Sequence, residues 1–220
     1  MRRMIFPLLL GVVGVAVLLS LGIWQLQRLA WKAAYLAGIE AKIAADPVAL
    51  PVAPVPEADS YLPVKVDGRF TGEALEVLSG VKDLGAGVRI IAVLETGAGR
   101  RVLVDRGFVL QDSRSAPREV TTATITGNLQ WPQDADAYTP PPDAATGLWF
   151  ARDVPAMAAL LRTEPVLIVA RKATGDGIEA MPIDTSAIAN DHAGYAFTWF
   201  ALALIWAVMT GALLLRTRNS

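Results

Sequence analysis

Two long stretches without a charged side chain bracket this sequence: residues 4–27, between Arg3 and Arg28, and residues 193–215, between His192 and Arg216. Coiled as a helix rising about 1.5 Å per residue, each covers roughly 35 Å, enough for a hydrocarbon core of about 30 Å. Two transmembrane helices are therefore expected, with the intervening chain held on one side of a lipid bilayer. The first stretch is long for the apolar part of a secretion signal, and no small-x-small cleavage site follows it. Gly22-Ile23-Trp24-Gln25 ill suits a peptidase, so an uncleaved anchor is expected.

Charge decides orientation. Residues 28–192 carry all 21 acidic and 16 of the 20 basic residues, a net of −5, whereas the ends carry Arg2, Arg3, Arg216 and Arg218 with no acid. Basic flanks are retained in the cytoplasm, so both termini are expected there and the middle is expected to be periplasmic. Arg28 and Lys32 run against that rule at the first span; Asp191 and His192 outside the second obey it. No Arg- and Ser-rich transit sequence is visible, which favours a bacterial inner membrane. The absence of cysteine excludes disulfides, thiolate metal sites and thiol catalysis. An acidic middle carries no nucleic-acid signature.

Helix is expected to continue past the first span to about residue 45, where Leu29, Leu36 and Ile43 recur every seven residues and Asp46-Pro47 ends the run. Pro47, Pro51, Pro54, Pro56 and Pro63 then predict an extended linker over 47–60, opening a β-rich domain over 47–191. Val64-Lys65-Val66-Asp67-Gly68-Arg69-Phe70 alternates as a strand; 75–78, 88–94, 101–110, 121–129 and 166–172 are further candidates, with a strand end at 149–152. Thr96-Gly97-Ala98-Gly99 reads as a hairpin turn, Gly85-Ala86-Gly87 as a turn before a strand, and 155–161 as a short helix. The expected fold is an α+β membrane protein: two terminal spans around an extracytoplasmic antiparallel β-sheet or small barrel with minor helices.

His192 is the single histidine and stands at the mouth of the second span. At about 100° per residue, His192, Tyr195, Ala196, Trp199, Ala203 and Trp206 share a helix face. An imidazole over aromatic rings can hold a flat macrocycle whose iron takes a histidine ligand. Interfacial anchoring by Tyr and Trp explains the same pattern. On the first span Ser20, Trp24, Gln27, Arg28 and Trp31 share a face, with Lys32 at its edge. Arg28 and Lys32 suit the propionates of a porphyrin; snorkelling to lipid headgroups is the competing reading. One histidine cannot supply two axial ligands, and Met157, Met181 and Met209 are not obviously placed for the second. No nucleophile elbow, P-loop or dinucleotide fingerprint is present, so catalysis is not expected. Asp105 and Arg106 at the end of the hairpin strand read either as a buried ion pair or as a docking surface.

The motifs resemble those of the surfeit locus protein one family. Leu21-Gly22-Ile23-Trp24-Gln25 with Arg28, Trp31 and Lys32 forms the N-terminal signature, and Asn190-Asp191-His192 with Tyr195-Ala196 and Trp199-Phe200 the C-terminal one. Gly68-Arg69-Phe70, Asp105-Arg106-Gly107-Phe108 and Trp149-Phe150-Ala151-Arg152-Asp153 are internal landmarks, although Asp105 and Phe108 stand where Asn and Trp are expected. The resemblance implies a chaperone-like assembly factor of cytochrome c oxidase, respiratory complex IV. It implies haem a as transient cargo, subunit I of the oxidase as recipient and the haem a synthase as donor. It implies His192 as the iron ligand. A haem-free membrane scaffold holding oxidase subunits is the alternative.

Overall fold

The computed structural model describes residues 2–82, 84–114, 116–186 and 188–218. Its elements are α1 (Arg2–Ala44), β1 (Val48–Ala49), α2 (Pro56–Asp59), β2 (Pro63–Val81), β3 (Gly85–Thr96), β4 (Arg101–Leu110), β5 (Thr122–Gln130), β6 (Leu148–Trp149), α3 (Val154–Leu161), β7 (Leu167–Ala170) and α4 (His192–Arg218). The chain divides into two compact units, one containing α1 up to Gly38 and the segment from Thr185 onward, the other Ile39–Asp184. The protein is thus α+β, with apolar helices at both ends and a mixed sheet between. Both α1 and α4 are long and apolar enough to cross a membrane by length and composition.

In the β unit, β2 pairs with β3 on one side and β5 on the other, and the order β2-β3-β4-β7-β5 returns to β2. The five strands therefore close into a small barrel. The expectation of antiparallel pairing fails at β4–β7, which run parallel, as do the short additions β1 and β6 along β2. The reason is arithmetic: directions cannot alternate all the way round an odd-numbered ring, so one parallel pair is obligatory. It falls on β4, the strand buried along nearly its whole length, as parallel strands generally are.

Alternation along β2 sends Val64, Val66 and Phe70 into the barrel, where they meet Leu94, Val104, Ile125, Leu129 and Ile168. The opposite face of β3, β4 and β7 presents Ile91, Val93, Leu103 and Val169 to α3, whose Val154, Met157 and Ala158 seal it. Asp153 caps α3 by accepting from the Ala156 amide at 3.1 Å, Pro155 stands in its first turn and Arg162 ends it at φ 55°.

Three local expectations change. The 47–60 segment is not a bare linker: β1 pairs with β2, and Pro56 opens the single turn α2, where a ring without N–H loses no bond. The candidates 64–70 and 75–78 are one strand, bent at an irregularity between Phe70 and Ala74. Gly85-Ala86-Gly87 belongs to β3 rather than to a turn; a Cβ on Gly87 would lie 2.1 Å from the Val109 carbonyl, so the glycine permits close strand contact.

Candidate functional site

In the helical unit, partly or fully buried positions of α1 recur at Gly11, Val15, Leu18, Gly22, Gln25, Leu29 and Lys32, alternately four and three residues apart. That 3.5-residue period is the seam of a left-handed helix pair. The partner is α4, antiparallel: Gly11 faces Thr210, Gly14 faces Trp206 and Gly22 faces Phe200. A Cβ at Gly14 would stand 2.4 Å from the Trp206 indole, and one at Gly22 would stand 2.6 Å from the Phe200 ring. Small residues in apolar helices let a neighbour approach this closely.

The same register brings Gln25 to His192. Their Oε1 and Nδ1 atoms are 2.7 Å apart in a partly buried bond, and Gln25 is 9% exposed. About two turns further out, Lys32 Nζ donates to the Ala189 carbonyl, tying α1 to the segment that leads into α4. Among the described residues no hydrogen-bond partner is recorded for His192 Nε2.

The remaining sequence-derived candidates sort by helix rotation. Trp24, Arg28, Trp31 and Tyr35 fall about a quarter-turn from the Gln25 seam. Tyr195 and Trp206 lie on the corresponding side of α4, the flank where Trp206 meets Gly14. Phe200 and Gly22 meet on the other. Lys32 and Trp199 sit near the seam on the Trp206 flank. Trp24, Arg28, Trp31, Lys32, Tyr195 and Trp199 are therefore on one flank of the pair, and by register Arg28 is within about a turn of His192. The flank is open: Trp24, Trp31 and Tyr195 are 53%, 54% and 59% exposed. Within it the Arg28 guanidinium lies 4.4 Å from the Trp31 ring centroid, and Trp31 stacks on Tyr35 at 5.8 Å with planes 9° apart. Such cation–π contact is worth about 0.5–1 kcal/mol at exposed sites.

His192 therefore meets an amide rather than the Arg28 guanidinium. Reasoning from sequence passed over Gln25 as a site residue although it stands in the quoted motif. The available signal was an amide inside an apolar span, a position where polar side chains are costly and mark function.

In the β unit Asp105 and Arg106 are 1% exposed and form internal ion pairs. Asp105 pairs with Arg89 at 2.7 Å, and Arg106 with Asp176 at 2.8 Å. Arg106 also donates to the Thr174 hydroxyl and carbonyl and covers the Phe70 ring at 4.5 Å. Of the two readings for this motif, the buried ion pair is the one observed. Met157 is fully buried where α3 packs on the sheet, the Met181 sulfur accepts from Arg89 at 3.5 Å, and Met209 is exposed on α4.

Comparison with known proteins bears on the whole chain. The family model described as SURF1 family matches residues 12–204. The chain is 27% identical over 210 residues to Surfeit locus protein 1 of Rattus norvegicus, covering 83% of this chain and 67% of that one. It is 30% identical over 210 residues to a SURF1-like protein of Monosiga brevicollis, covering 86% and 80%. A SURF1-like protein of Rickettsia felis is 26% identical over 200 residues, covering 86% and 88%.

Proposed function

The chain belongs to the SURF1 family, and from that premise we propose that it is an assembly factor of haem–copper cytochrome c oxidase that binds haem a and assists its insertion into subunit I. It acts by carrying and presenting cargo rather than by catalysis. The helices α1 and α4 are its membrane spans in a bacterial inner membrane, both termini are cytoplasmic and the barrel is periplasmic. The haem a synthase is the donor.

The observation that carries this reading is the state of His192. Its Nδ1 is engaged by Gln25, which leaves Nε2 to face a ligand. Metal-binding imidazoles are commonly held this way through the nitrogen that does not bind. Around it the flank supplies exposed indole and phenol rings for the macrocycle. Arg28 and Lys32, about one and two turns further along α1 than Gln25, supply cations for the propionates, each charge-assisted bond contributing about 1.5–3 kcal/mol. One protein ligand on an open flank suits a cargo that must leave.

The test is the visible spectrum of the protein purified from cells that make haem a. Wild type should copurify with haem a, and His192→Ala should lose at least about tenfold of it while keeping its helix content. Colourless wild type would reject the carrier. The His192–Gln25 bond also pins α1 to α4 without any haem, which favours a haem-free scaffold as the second reading. Complete oxidase assembly supported by His192→Ala would select it.

A further inference from the structure

We propose that Gln25 is the positioning residue of the haem-binding imidazole: it accepts the Nδ1 proton of His192 and so fixes the ring in the tautomer whose Nε2 lone pair is free for iron. The inference rests on the carrier reading of His192 and deepens it.

Gln25 is the buried polar side chain of α1 among the described residues. An amide in such a place costs free energy unless it is bonded, and the bond it makes is to His192 at 2.7 Å. The atom presented is the amide oxygen, which only accepts, so the ring proton is on Nδ1. A neutral imidazole carries one ring proton, and Nε2 is then bare. The tautomer is thus set by the partner on the other nitrogen. The pair is held from both sides along α1. Gly22 lies three residues before Gln25 and packs under Phe200; Lys32 lies seven residues after it and bonds the Ala189 carbonyl. Neither helix can slide without breaking one of these contacts. The acceptor also makes the ring a better donor to iron, as other outer partners of ligating histidines do.

His192 is the single histidine of the chain, so labelling histidine with nitrogen-15 in the full-length protein, reconstituted in nanodiscs, reports one imidazole. Haem-free wild type is expected to show protonated Nδ1 and bare Nε2. Gln25→Leu and Gln25→Met, which keep bulk but remove the acceptor, should shift the ring towards the Nε2-protonated form. Gln25→Glu should restore the wild-type pattern. In titrations with haem a, the two acceptor-free variants should bind about 10–100-fold more weakly, and Gln25→Glu should recover affinity together with the iron–histidine stretch in the Raman spectrum. A purely structural role would not produce that paired recovery. A wild-type ring protonated on Nε2 overturns the inference, as do acceptor-free variants whose tautomer and haem affinity both match wild type. Wild type that takes up no haem a overturns the carrier reading and this one together; uptake indifferent to Gln25 overturns this one alone.

Discussion

Arg106 shows how single residues set the terms for their neighbourhood. A guanidinium at 1% exposure is tolerable only because Asp176, the Thr174 hydroxyl and carbonyl and the Phe70 ring meet it; losing one partner of such a pair costs about 3–5 kcal/mol. The residue is pushed inward by an irregularity in the β3–β4 ladder, where Ile90 pairs with Gly107 and Ile91 with Asp105. Gly107 makes this possible: its φ is 119°, and a Cβ there would stand 1.9 Å from the Glu179 carbonyl. Asp105, standing where Asn is expected from the family resemblance, is answered by Arg89, with Arg152 at 3.5 Å. At the rim the pairing of Arg100 with Glu164 is bidentate, at 2.9 and 2.7 Å. Hydrogen bonding from Arg100 holds the Glu164 carboxyl below its ordinary range, against a smaller opposing effect of burial. A carboxyl depressed in the folded state stabilises the fold above its unfolded value, and that contribution disappears as pH falls through the folded value. Glu164→Gln should therefore melt lower than wild type near neutrality, by no more than about 1 kcal/mol once solvent screening is counted. The two melting curves of the full-length protein should converge at acid pH. A gap unchanged with pH would refute the assignment.

At the scale of elements, the helix pair is the more exacting construction. Gly22 lies beneath the Phe200 ring with no space for a side chain. Gly22→Ala should destabilise by about 1–3 kcal/mol through overpacking, and adding Phe200→Ala should return part of the loss. A double-mutant cycle on thermal unfolding in detergent measures that coupling; additive effects would show that the ring does not rest there. The existence of both helices was legible in the sequence because hydropathy is a local property summed over many residues. The β3–β4 hairpin was legible because Thr96-Gly97-Ala98-Gly99 is compact and Gly99 takes φ 76°. Parallel pairing of β4 with β7 was not, since alternation shows which face of a strand is buried but not which way its neighbour runs. The site divides in the same way. His192 stood out by being alone and at a span's mouth, whereas Gln25 became meaningful only when antiparallel register placed it opposite. Register between elements 167 residues apart is written in side-chain packing, which no periodicity displays.

For the molecule as a whole, the proposed topology has a direct check, aided by the lack of native cysteine. Val52 and Tyr138 are 91% and 92% exposed on the β unit. Val52→Cys and Tyr138→Cys should react with a membrane-impermeant maleimide added to intact spheroplasts, and Thr217→Cys should react only after lysis. The reverse pattern would invert the protein and place His192 on the cytoplasmic side. The ring of strands adds a temporal constraint. Its closure waits for four residues, Leu167–Ala170, which slot between β4 and β5. Until they leave the ribosome, the nascent sheet exposes two unpaired borders, each a template for stray hydrogen bonding. Maturation of this factor therefore waits on a segment that follows all the other strands of the ring in chain order. A truncation upstream of that short insert should be cleared by proteases as an aggregate-prone fragment instead of persisting as a shortened helper.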